Sequence, residues 1–232
     1  MAGGTLEVLS THALQEVLRA LGPAFERDSG YRLAVSYDPA KALKRRIEDG
    51  TPFDLVIATR PVVDALTEGG HVLAGSSADI GRSGLGVSVR KGAAKPDIGT
   101  VEAFRRALLA AKSIVRSTEG TSGLYFEQLV GRLGLADALR GKIKLGPSGR
   151  VAELVAHGEA DMAVQQISEL LPVAGADFVG PFPAKVQLWT VFSAGIGTVS
   201  RSVDAARSLI DLLIAPAADA VLAAQGLERP PR

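Results

Sequence analysis

Short apolar runs alternate along the chain with segments in which apolar residues recur every three or four positions, the marks of strands and amphipathic helices. The run TLEVLS, residues 5–10, reads as a buried strand, and behind it Leu14, Val17, Leu18, Leu21 and Phe25 fall on one helical face. Pro23 is expected to kink the last turn of that helix. YRLAVSY predicts a second strand ending at Asp38 and Pro39, where Asp suits a helix cap and Pro its first position. Ala40, Leu43 and Ile47 then form an inner stripe, leaving Lys41, Lys44, Arg45 and Arg46 to face water. FDLVIA is a third strand and RPVVDALTEGG a short helix closed by glycine.

Strand followed by helix, repeated, predicts an α/β fold with a mostly parallel sheet covered on both faces. Ligands of such sheets bind at the carboxyl ends of the strands, which singles out the loops LSTH, SYDPAK and ATRP. Further on, GRSGLGVSVRKG reads as one strand, DIGTVEAFRRALLAA as a helix capped by Thr100, and SIVRS as another strand. A helix with Phe126, Leu129, Val130 and Leu133 inward follows. KIKLGPSG leads into RVAELVAHG, ADMAVQQISEL supplies a strand and a turn, and VQLWTVFSAG reads as a long strand. Two helices, SVDAARSLIDLLI and APAADAVLAAQG, follow it. No repeat, linker or low-complexity tract interrupts the pattern.

The loop STEGTSG, residues 117–123, gathers hydroxyls and glycines between a strand and a helix start. Such a start presents unpaired N–H groups and the positive end of the helix dipole. Ser and Thr serve as caps there, and the same groups can hold an anion; one loop does not decide between these uses.

Composition narrows the classes. The 232 residues suffice for one large or two small domains, and 47% hydrophobic content supplies a core for either. Lys and Arg number 26 against 25 Asp and Glu, a net +1, so no global field draws nucleic acid or an anionic membrane. Cysteine is absent, which removes disulfides and thiolate chemistry. His12, His71 and His157 lie far apart, so neither a metal nor another cofactor is expected. GTSGL and GPSGR are not G-x-S-x-G, and GLGVSV is not a dinucleotide fingerprint. The most apolar tract is broken by Asp211, Pro216 and Asp219, so no membrane insertion is expected.

The phrases DIGRSGLGVSVRKGAAKPDIGTVEAFRRALLAAKSI, GLYFEQLVGRLGL, VAELVAHGEADMAVQQISELLPVAGADFVGP and TVFSAG resemble the substrate-binding proteins that serve as molybdate-binding components of ABC transporters, from Leu6 to Leu227. The resemblance implies a type II periplasmic-binding-protein fold: two α/β lobes, two crossing strands and an interlobe cleft that clasps an anion. It places the first lobe at residues 1–85 with 184–232 and the second at 86–183. It also implies a monomer and an ABC permease as partner, with a periplasmic location if a leader has been removed and a cytoplasmic one otherwise.

On this pattern Ser10 and Thr11 face the ligand from the first lobe, and Thr121, Ser122 and Gly123 from the second. Arg82 and Ser83 lie at the predicted crossing, Arg150 and Val151 begin a helix, and Gln166 and Ser168 follow a strand. Tyr37, Asp38 and Arg60 are weaker candidates. Two departures from the molybdate binders stand out: Tyr37-Asp38-Pro39-Ala40-Lys41 replaces a small serine-rich loop, and Gln165-Gln166 replaces an aromatic hydroxyl. Lys41, Arg82 and Arg150 suit carboxylates, which take charge-assisted, two-point hydrogen bonds. A small organic carboxylate is therefore expected in place of molybdate. The alternative is an enzyme on the same scaffold, an isomerase of a small tricarboxylate resembling aconitate isomerase, with Glu119 and His12 as the candidates for the base it needs.

Overall fold

Alternate side chains of a strand point to opposite faces of its sheet, so a strand apolar at every position needs helices on both sides. The computed structural model describes residues 3–231. In it β1 (Thr5–Ser10) passes through a short turn of helix into α1 (Gln15–Ser29), β2 (Arg32–Tyr37) into α2 (Ala40–Glu48), and β3 (Leu55–Thr59) into α3 (Arg60–Glu68). Then come β4 (Ala78–Ser83), β5 (Leu85–Arg90), α4 (Val101–Ala110), β6 (Ile114–Ser117), α5 (Thr121–Arg132) and α6 (Ala136–Leu139). β7 (Ile143–Gly146), α7 (Val151–Ala156), β8 (Met162–Gln166), α8 (Ile167–Leu170) and β9 (Ala176–Pro181) follow, and β10 (Thr190–Ile196), α9 (Val203–Ile214) and α10 (Asp219–Ala224) end the series.

Two units result. One comprises the chain through Arg82 together with Thr190 onward, the other Ser83–Trp189. The first holds a five-stranded sheet in the order β2-β1-β3-β10-β4, the second one in the order β7-β6-β8-β5-β9. Both are mixed: β1 runs parallel to β2 and β3 while β10 opposes β3, and β6 runs parallel to β7 and β8 while β5 opposes β8 and β9.

The alternation sorts each core into two layers. In β3, Leu55 and Ile57 join α1 and α9 in one cluster, while Val56 and Ala58 join α2 and α3 in another. In the second unit Ile114, Met162 and Val164 pack with Phe104 and Phe126. Val115 and Ala163 pack with Val151 and Val155 on the opposite face. The stripe of Ala40, Leu43 and Ile47 is buried as the spacing requires.

α1 runs through Pro23 to Ser29 and is closed by Gly30 at φ 75°, a conformation open to glycine without a Cβ penalty. Three local expectations are corrected. Asp38 does not cap α2, whose N-cap is Pro39; its carboxylate instead pairs with Arg46, which also donates to Ser36 at 2.9 Å. GRSGLGVSVRKG, residues 81–92, read as one strand, is instead the end of β4 and the whole of β5, two strands in different sheets parted at Gly84. The run from Val186 becomes a strand only at Thr190.

The last two corrections share a cause. Gln187 lies against Gly84, where an added Cβ would sit 2.9 Å from the Gln187 amide nitrogen. Its side chain takes the place of a strand neighbour: Oε1 accepts from the Leu85 N–H at 2.7 Å and from the Leu188 N–H at 3.0 Å, and Nε2 donates to the Leu85 carbonyl at 2.9 Å. Gln187→Leu leaves the buried Leu85 N–H without this acceptor, a cost of about 1–3 kcal/mol. Urea unfolding of the variant should show that loss, and an unchanged midpoint would mean that another acceptor replaces the glutamine.

Candidate functional site

In the first unit, parallel pairing sets Ser10 beside Tyr37 on one side and Ile57 on the other. The loops after β1, β2 and β3 therefore leave the sheet at one edge. Backbone bonds tie them there: Thr11 N–H donates to the Ile57 carbonyl at 2.9 Å and Asp38 N–H to the Ser10 carbonyl at 3.1 Å. Ser10 is fully buried, its Oγ donating to the Thr11 carbonyl at 3.0 Å. Thr11 is buried too, yet its Oγ1 makes no hydrogen bond within the described protein, an arrangement that is costly unless something else satisfies the hydroxyl.

His12 follows, its ring centre 5.9 Å from that of Tyr37. Burial pushes the imidazole below the usual histidine range, with nearby Asp38 pulling weakly the other way, so the ring is neutral at pH 7. Burial and the negative charge of Glu16 push the Tyr37 phenol up to about 12. The unit's cations are largely spoken for. Arg60 donates through Nε to Asp79 at 2.9 Å, and Asp79 also accepts from Ser193. Arg82 donates through Nε to Glu228 at 2.8 Å, and the two backbones bridge each other; the carboxylate that Arg82 grips belongs to its own chain. Lys41 is exposed in the first turn of α2.

The second unit repeats the plan. Ser117 pairs with Gly146, and Arg116 with Val164, so β6, β7 and β8 also end along one edge. There α5 starts hard against β6: a Cβ on residue 123 would lie 2.0 Å from the Ser117 carbonyl oxygen, and one on residue 120 would lie 2.5 Å from Ser117 Oγ. Only glycine permits so close an approach. Ser122 and Gly123 are buried while Glu119 and Thr121 are exposed. No side chain caps α5, and Ser117 Oγ makes no hydrogen bond within the described protein. Ser83 and Ser168 meet, the Ser168 N–H donating to Ser83 Oγ at 3.3 Å, while Ser168 Oγ is buried without a partner. Gln166 and Val151 are buried at the ends of their elements. Arg150 is exposed and pairs with Glu153 one turn along its own helix.

Of the residues singled out in the sequence, the structure thus groups Ser10, Thr11 and His12 at one strand-end edge, and Ser122, Gly123, Gln166 and Ser168 at another. Arg82 pairs with Glu228 and Arg150 with Glu153. Ser117 and its neighbour Arg116 were not singled out as site residues, nor was Glu169. The available signals were an arginine inside the apolar run SIVRS and a Glu three residues after Gln166, the spacing by which a carboxylate reaches back to a helix's first N–H. Among the described residues no group of three or more His, Asp or Glu side chains is disposed to hold a metal ion, and no helix is long and apolar enough to cross a membrane.

The sequence matches the family described as bacterial extracellular solute-binding protein over residues 6–228. It is similar to an aconitate isomerase of a Pseudomonas species, 33% identical over 233 residues that span 98% of this chain and 88% of the relative. It is also similar to the molybdate-binding protein ModA of Azotobacter vinelandii, 24% identical over 90% of this chain and 84% of the relative. Among solved structures, the periplasmic molybdate-binding protein of Azotobacter vinelandii superposes with a TM-score of 0.82 at 22% identity, covering 97% of this chain and all of the other. The sulfate-binding protein SubI of Mycobacterium tuberculosis gives 0.77 at 18% identity, over 97% of this chain and 86% of the other.

Glu169 offers a test that needs no ligand. It stands at the third position of α8, and burial pushes its carboxyl from the ordinary 4.5 up to about 7, against the opposing pull of the Gln166 backbone N–H. A raised carboxyl pKa means that the folded state keeps a proton which the unfolded chain gives up. Its contribution to stability is complete below about pH 4.5 and is lost as pH rises through about 7. Glu169→Gln removes that dependence, so its stability relative to wild type should improve steadily across this window in urea titrations. A difference that stays flat with pH would show that the carboxyl is solvated in the folded protein.

Proposed function

Because this chain belongs to the bacterial extracellular solute-binding proteins, we propose that it captures a small organic anion carrying two or three carboxylates for an ABC permease, acting outside the cytoplasmic membrane. The observation that carries the proposal is the pair of strand-end edges, one per unit, each with buried hydroxyls that have no partner within the described protein: Thr11 in the first unit, Ser117 and Ser168 in the second. Neutral donors at strand ends and a helix start suit an oxyanion.

Carboxylate over molybdate is supported by two facts. The loop after β2 offers Pro39, which has no N–H, where a donor would serve a tetrahedral oxyanion, and identity is higher to the aconitate isomerase than to the molybdate binder, 33% against 24%. The former similarity also favours a second function, isomerisation of a tricarboxylate by taking a proton from one carbon and returning it to another. His12, kept neutral by burial, is one candidate base for that reaction, and Glu119, exposed beside the start of α5, is the other.

Titration calorimetry against trans-aconitate, citrate, succinate, sulfate and molybdate should give heat with the tricarboxylates and little with molybdate. Thr11→Val and Ser122→Val should each weaken binding by about 1–3 kcal/mol, the cost of a lost buried hydrogen bond to a charged group. Tight molybdate binding with no heat from any carboxylate would overturn the proposal. Proton NMR of trans-aconitate with the protein decides the second function: the cis isomer accumulates if the protein catalyses, and its absence at high protein concentration limits the protein to binding.

A further inference from the structure

Arg116 carries a charge that the donors above leave unexplained. It is the third residue of β6 and 7% exposed, on the same face as Ile114 and beneath α5. Nη1 donates to the Ser117 carbonyl at 3.0 Å, Nη2 lies 3.0 Å from the Glu127 carboxylate, and Nε makes no hydrogen bond within the described protein. The ion pair is lopsided. The Glu127 side chain is 62% exposed, so water screens its charge, while the guanidinium sits where the dielectric is low and its field carries farther. The Ser117 carbonyl to which Arg116 donates is the atom against which Gly123 packs, so the cation lies one hydrogen bond from the first turn of α5. There the cation adds to the positive end of the helix dipole.

We infer that Arg116 is a specificity-determining residue that does not touch the ligand: lying under the first turn of α5, its incompletely neutralised charge favours anions in proportion to the charge they bring to that turn. The inference rests on the polycarboxylate-binding proposal for its ligands and adds to it an order of preference, tricarboxylate over dicarboxylate. A purely structural arginine, bracing β6 against α5, would affect all ligands alike.

The test is calorimetry on wild type, Arg116→Gln, Arg116→Lys and Glu127→Gln with trans-aconitate, succinate and molybdate at low and high salt. Arg116→Gln should weaken trans-aconitate about tenfold and succinate clearly less, as expected for loss of one partly screened charge, and Arg116→Lys should recover most of the loss. Glu127→Gln, a change on the exposed face of α5, should tighten trans-aconitate by about threefold and steepen the salt dependence. Equal losses for every ligand in Arg116→Gln, or an unchanged affinity in Glu127→Gln, overturns the inference. If Arg116→Gln fails to fold, the sign of the Glu127→Gln effect decides alone. If wild type binds molybdate and no carboxylate, the polycarboxylate proposal falls, and the same variants on molybdate still decide the role of Arg116: weakening in Arg116→Gln with tightening in Glu127→Gln upholds it, and no change overturns it. Wild type that binds none of the three anions overturns both.

Discussion

The carbonyl oxygen of Ser117 occupies the space that any side chain on residue 123 would need. Because residue 123 is glycine, α5 can begin directly on the end of β6, and its first N–H groups, the Ser117 hydroxyl and the buried Ser122 come within one small region. A larger residue would push the helix start away from the strand and separate these groups. The polar chemistry of the second unit depends on this contact more than on any hydrogen bond.

The first unit reaches a comparable arrangement by another route. There Thr11 and Asp38 are held by backbone bonds to the neighbouring strands, so the sheet itself fixes the loops. The side chains differ accordingly. The first unit offers a neutral imidazole and a phenol held in its protonated form, the second hydroxyls above a buried guanidinium. Burying polar groups at both edges costs stability, and the cost is tolerable because each edge is backed by apolar layers on both faces of its sheet.

Periodicity revealed the strands and helices wherever one face or both were apolar over several residues, as in FDLVIA or the Leu43 and Ile47 stripe. It also pointed to the STEGTSG loop, because turn and cap residues act locally. It failed where a partner distant in sequence decides the outcome. GRSGLGVSVRKG looks continuous, but the chain leaves one sheet after Ser83 and enters the other at Leu85, where Gln187, some hundred positions away, lies against Gly84. Asp38 has the composition of a cap, but Arg46 competes for its carboxylate and wins. The carboxylates beside Arg82 and Arg150, Glu228 and Glu153, were not legible as their partners either. Arg116 was passed over because a charge inside an apolar run is read as an interruption, when here the strand alternation buries it beneath a helix.

The order of strands has a consequence for how the chain is made. Every strand of the sheet β7-β6-β8-β5-β9 lies within one continuous stretch, whereas in β2-β1-β3-β10-β4 the strand β10, between β3 and β4, comes from beyond residue 189. A nascent chain that has emerged as far as β9 already holds all the strands of the second unit, while the first still has a gap in the middle of its sheet. Domains as a rule fold in the order of their synthesis; here the N-terminal unit is completed last, and until β10 arrives β3 and β4 present unpaired edges to whatever else is nearby.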